Sequence, residues 1–180
     1  MKFSIFSSLA LLASAVMAMP AVPANSALQR RASNTSAPFY LKTSGGANEQ
    51  HNNLYLVAYH TGAGFNDAVL ESSSQNAAKG VLNGTNVQFE LGTSFPWGID
   101  MGSDTNYGAW EFVQINAGYG TSGFSINSTG LEWNTEDGFG GWLVCDWWHN
   151  APQLFYLVEY YQAELPSSCD KVQLKPEYVS

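Results

Sequence analysis

Gly140–Tyr161, GGWLVCDWWHNAPQLFYLVEYY, decides how the fold is read. It gathers Trp142, Trp147, Trp148, Cys145 and His149 between two apolar runs. The spacing predicts a β-hairpin at the centre of the fold. Trp142–Trp147 forms one strand, His149-Asn150-Ala151-Pro152 the turn, and Gln153–Tyr161 the return strand. Pro152 suits a turn because its ring fixes φ and it has no N–H to give a sheet ladder. Trp147 and Trp148 are adjacent, so on a strand they face opposite sides. One of them then lies on a second packed face or in solvent. Tyr156 and Tyr160 share a face, and Tyr161 takes the other.

Outward from this hairpin the chain repeats the same grammar. Phe39–Thr43 is a short strand, and Leu54–His60 a second with apolar or aromatic residues on both faces, as when a strand is covered on two sides. Thr61–Gly64 breaks it, and Asp67–Glu71 resumes extended chain. Leu82-Asn83-Gly84-Thr85 reads as a tight turn because Asn-Gly tolerates positive φ. Val87–Leu91 then alternates apolar and polar. Gly92–Gly108 is the longest unpatterned segment and the candidate functional loop. Ala109–Asn116 has Trp110 and Phe112 on one side, Val113 and Ile115 on the other. Gly123–Ile126, Leu131–Asn134 and Val172–Val179 complete about ten strands, by the pattern of short runs between turns. No amphipathic helix competes with them. The fold class is all-β, a compact antiparallel sandwich or small barrel in one domain.

The N-terminus has the pattern of export. Lys2 precedes an apolar run, and Val16-Met17-Ala18 ends in small residues, so residues 1–18 read as a signal peptide cut after Ala18. The run is too short for a comfortable membrane span. Residues 19–31 read as a short propeptide ending at the dibasic pair Arg30-Arg31, leaving residues 32–180 as the secreted domain. An ordinary exposed arginine pair in a leader is the alternative. The chain carries a net charge of −8, and losing Lys2, Arg30 and Arg31 makes it more acidic. Such a surface repels phosphate backbones and anionic membranes, so neither nucleic acid nor membrane is an expected partner.

Cys145 and Cys169 are the two cysteines. In an exported chain an even pair makes a disulfide, here tying the central hairpin to the C-terminal strand. A buried reduced pair is the alternative. Asn34, Asn83 and Asn127 each begin a glycosylation sequon and are expected at the surface.

His60-Thr61-Gly62-Ala63-Gly64, Gly141-Trp142-Leu143-Val144-Cys145-Asp146-Trp147-Trp148 and Pro152-Gln153-Leu154-Phe155 together carry a resemblance. Over roughly Phe39–Val179 the chain resembles a group of small secreted proteins of filamentous ascomycete fungi that carry a domain of unknown function. Some members are labelled IgE-binding protein. The resemblance implies secretion and a compact β domain, and brings no catalytic residues.

The candidate ligand-binding residues are His60, Asp67, Asp146, Trp147, Trp148 and His149. Asp146 lies in an apolar strand, where a carboxylate must be paired or hydrogen-bonded. Two of Asp146, Glu159 and Asp67 could serve as an acid/base pair for glycoside hydrolysis; structural carboxylates holding turn donors are the alternative. His60 and His149 match no recognised metal spacing. Neither expected mature terminus begins with His, as copper enzymes ligated through that residue require. No Gly-x-Ser-x-Gly elbow, P-loop or dinucleotide fingerprint occurs, and no cofactor is expected. Exposed aromatics beside Asn and Asp are the chemistry of saccharide stacking; core packing is the alternative for the same side chains. The sequence therefore points first to a non-enzymatic extracellular protein, at the cell surface or wall, binding a saccharide or host component. A small polysaccharide hydrolase and a host-directed effector or antigen are the other two readings.

Overall fold

In a computed structural model, residues 34–103, 108–136, 138–159 and 164–179 are described. They belong to one compact unit, residues 33–180. The expected signal peptide and propeptide, with Ala18, Arg30 and Arg31, lie outside the described residues. So do Tyr160 and Tyr161.

The elements in order are β1 (Phe39–Ser44), β2 (Tyr55–Gly62), β3 (Phe65–Glu71), β4 (Gly80–Asn83), β5 (Asn86–Phe89) and β6 (Trp97–Met101). They continue with β7 (Trp110–Ala117), β8 (Phe124–Ile126), β9 (Leu131–Trp133), β10 (Phe139–Asp146), β11 (Pro152–Val158) and β12 (Cys169–Tyr178). Among the described residues the remaining regular structure is three short 3₁₀ turns. None of it is a helix long and apolar enough to cross a membrane.

Antiparallel pairing closes the sheet into a barrel. β1 pairs with β12 along its whole length, from Phe39↔Tyr178 to Ser44↔Gln173. β12 continues to β10, β10 to β11, and β11 to β7. β7, β6, β5 and β4 follow as neighbours, and β4 returns to β1 at Phe39↔Gly80. The β2–β3 hairpin joins this ring at Lys42↔Tyr55, Gln153↔Val69 and Asp67↔Gln114. Closure pairs strands that would otherwise be open edges.

The interior is filled by one face of these strands, including Phe39, Leu41, Leu56, Leu70, Ile99, Ile115, Val144, Leu154 and Leu174. β10 and β11 are buried on both faces. Leu143, Cys145, Phe155 and Leu157 point away from the barrel interior into a second cluster covered by Trp110, Phe112 and Leu165. This double burial is why both runs of the central hairpin read as uninterrupted apolar sequence. The β8–β9 hairpin stands apart as a two-stranded sheet, and Phe124 and Leu131 enter the core. The indole N–H of Trp142 donates to the Leu131 carbonyl.

The central hairpin forms, with two corrections at its turn. Trp147 is not the last residue of the strand, which ends at Asp146; Trp147 precedes and Trp148 opens the 3₁₀ turn Trp148–Asn150, so strand parity does not assign their faces. Pro152 opens the return strand, where a first residue needs no ladder N–H. Two other expectations change. Gly92–Gly108 is not one loop, since β6 runs through it. In β5, Gln88 is buried between buried Val87 and Phe89, its Oε1 accepting from Asn83 Nδ2 at 3.1 Å.

The Cys145–Cys169 disulfide is present, joining facing residues of β10 and β12.

Candidate functional site

The turn between β10 and β11 is held in an unusual backbone shape. His149 has φ 66° and Asn150 φ 55°, two consecutive non-glycine residues in the left-handed region. Asn tolerates that region; His does so at a cost that surrounding contacts must offset. Those contacts come from the β2–β3 hairpin, where Tyr59 and Asp67 are cross-strand partners. The His149 imidazole stacks on the Tyr59 ring at 4.0 Å between centroids and 27° between planes. Its Nε2 lies 2.9 Å from Asp67 Oδ2. One hairpin therefore grips the turn of the other by a ring and a carboxylate.

Asp67 is also the end of a polar row across the strands. Gln153 Nε2 donates to Asp67 Oδ2 at 3.3 Å, and Gln114 Nε2 to Asp67 Oδ1 at 3.4 Å. Asn116 Nδ2 donates to Gln114 Oε1 at 3.2 Å and to Asp100 Oδ2 at 2.9 Å. Gln114 and Asn116 alternate along β7 with the core residues Val113 and Ile115, so they face away from the barrel interior. Beside Asp67 opens a cleft of about 220 Å³, lined among others by Gln114, Gln153, Trp147, Trp148 and Phe155. Trp147 meets Phe155 edge-on and is 39 % exposed; Trp148 is 70 % exposed.

A family model described as Domain of unknown function (DUF7907) matches residues 36–178. The chain belongs to this family. No curated protein and no solved structure matches it. The DUF7907 domain takes in all twelve strands of the described residues, and both hairpins of the candidate site lie within it.

Within the DUF7907 domain the candidate residues divide into three groups. Asp67, Trp147, Trp148 and His149 come together at the cleft. Asp146 does not line it; Asp146 Oδ1 is 3.4 Å from Nε2 of the buried His51. The Asp146 side chain is 64 % exposed, so the expectation that its apolar strand obliges it to be paired does not hold: Asp146 ends the strand in water. His60 borders a different cleft with Asn66, Glu90 and Trp97. The three carboxylates considered for hydrolysis occupy separate surroundings, Asp67 against His149, Asp146 against His51, and Glu159 exposed beside Gly138. No group of three His, Cys, Asp or Glu among the described residues is placed to hold a metal. Asn34, Asn83 and Asn127 are all exposed. Asn127 Oδ1 accepts from the backbone N–H groups of Thr129 and Gly130.

Sequence reasoning missed Tyr59 as a site residue, and with it Asp100, Gln114, Asn116 and Gln153. The alternation of β7 carried a signal for Gln114 and Asn116, and Gln153 stood inside a quoted motif. Nothing local marked Tyr59, whose role depends on a turn some ninety residues away.

Proposed function

We propose that the protein acts outside the cell as a non-catalytic saccharide-binding module, with Trp148 as its stacking platform. The observation that carries this reading is a 70 % exposed indole at the lip of a cleft whose other lining includes Asp67, Gln114 and Gln153. A flat apolar ring accepts the C–H face of a sugar, while amides and a carboxylate bind its hydroxyls; shallow sites combine these two chemistries. Export in a fungal setting, a wall location and glycosylation at the exposed sequons belong to the same proposal, supported by the N-terminal pattern and the family resemblance. An IgE label would then describe a host response to an exported protein.

The test is retention of the secreted protein on insoluble chitin and on β-glucan. The parent is expected to stay on at least one of them, and Trp148→Ala to pass through. Since Trp148 is a mostly exposed turn residue, the variant should unfold at the parent's urea midpoint, separating loss of binding from loss of fold. Equal retention of variant and parent would overturn the reading.

A further inference from the structure

We infer that the cleft and the carboxylate row beside it take a cationic amino sugar chain, glucosamine units with free ammonium groups, in preference to neutral or acidic saccharides. The inference rests on the saccharide reading of the Trp148 cleft and names the ligand class of that site.

The first argument is charge. Asp67 and Asp100 are the ionisable acids of the row, and their partners are the amides Gln114, Gln153 and Asn116 and the imidazole of His149. Neither is bonded to a lysine. The described cations are Lys42, Lys79, Lys171 and Lys175; Lys42 pairs with Glu177 and Lys79 with Glu90, and none lines the cleft. Asp67 faces one basic side chain, His149, and Asp100 faces an amide alone, so the row adds uncompensated negative charge to the surface of an already acidic protein. An acidic saccharide is repelled there, and a cationic one is drawn in.

The second argument is donor and acceptor accounting. A carboxylate only accepts hydrogen bonds, and an ammonium only donates them. Gln153, Gln114 and Asn116 each spend an amide N–H inside the row. The row still lacks donors, because Asn116 Oδ1 is buried without a partner, in a side chain that is only 9 % exposed and bonded to both Gln114 and Asp100. That atom is closed to a ligand, whereas the half-buried Asp100 carboxylate, which accepts from Asn116 at Oδ2, has lone pairs left for a group that only donates. The exposed indole adds a cation–π surface for the same group.

The third argument is register. Asp100↔Gln114 and Gln114↔Asp67 are cross-strand partners, so the row crosses β6, β7 and β3 in line. At the usual interstrand spacing, Asp100 and Asp67 stand about 10 Å apart at their Cα atoms. A chain with repeated ammonium groups can meet both; a single cation cannot.

The experiment titrates the secreted full chain with three hexasaccharides, of glucosamine, N-acetylglucosamine and galacturonic acid, at mildly acidic pH and low salt. Glucosamine hexamer is expected to bind at least about tenfold tighter than its N-acetylated form, with the difference shrinking as salt rises. Asp100→Asn leaves Asp67 charged and should narrow the difference between the two ligands. Glu49→Gln, which removes an equal charge from an exposed residue that does not line the cleft, should leave the difference intact and so exclude attraction by net charge alone. Equal affinities in the parent protein, or an undiminished difference in Asp100→Asn, would overturn the amino-sugar inference while leaving saccharide binding standing. If Trp148→Ala binds every ligand as the parent does, the reading beneath it falls instead.

Discussion

At the scale of single residues, His149 links backbone shape to ligand chemistry. Its left-handed φ of 66° is held by the stack on Tyr59 and the contact with Asp67. Releasing the side chain should let the turn relax and move the neighbouring Trp148. His149→Ala and His149→Gly both remove the grip, but only glycine removes the cost of a left-handed side chain, about 1 kcal/mol. The glycine variant is therefore expected to be the more stable of the two, read from urea midpoints, while both lose saccharide retention. An alanine variant as stable as the glycine one would mean that His149 is not strained. The stretch holding His149 drew attention in the sequence because Trp, His and Asn cluster there. The grip itself did not show, since Tyr59 and Asp67 belong to another hairpin and only the folded chain brings them within 4.0 Å and 2.9 Å of the imidazole.

At the scale of elements, β12 is held to the barrel at both ends. At one end Cys169 is bonded to Cys145, 24 positions earlier in the sequence. In the chain-entropy model such a loop is worth about 3 kcal/mol, so Cys145→Ala/Cys169→Ala should lower unfolding stability by about that amount in a urea titration. A change below about 1 kcal/mol would show that the barrel holds β12 without it. At the other end Glu177 accepts from the Tyr55 hydroxyl at 3.0 Å and pairs with Lys42 at 3.2 Å. The Tyr55 hydroxyl, then Lys42, holds the Glu177 carboxyl below its ordinary value of 4.5. A lowered folded value gives stability that is present above the unfolded value and lost as pH falls through the folded one. Glu177→Gln should thus cost under about 1 kcal/mol at neutral pH, an exposed-pair effect, and nothing once the pH is well below that range. A cost that persists in acid would place the effect in packing instead. Strands were legible wherever apolar alternation met Gly, Asn or Pro turns, as in β1, β2, β7 and the Asn83-Gly84 hairpin. In β5 the strand was legible but the burial of Gln88 was not, and β6, with its interior glycine Gly98, lay inside a segment that read as loop.

At the scale of the whole molecule, the antiparallel barrel follows from contacts that no window of sequence contains. The alternation that marks strands is the same in a sandwich and a barrel; what decides between them is a pairing such as Phe39↔Gly80, through which β4 meets β1. Gly80 makes that approach because the Phe89 ring occupies the space its side chain would take: a Cβ there would lie 2.9 Å from two ring atoms. The ring cannot simply withdraw, since Phe89 is itself buried in the barrel core. Gly80→Ala therefore strains the seam, and overpacking of this kind costs about 1–3 kcal/mol. In a closed barrel no strand is released by itself, because each is bonded on both sides. The loss should accordingly appear as a lower midpoint of one cooperative transition, with tryptophan fluorescence and far-ultraviolet circular dichroism coinciding. Two separated transitions in Gly80→Ala, with β4–β5 signals lost first, would show instead that the seam opens alone and that the barrel behaves as a sheet with a free edge.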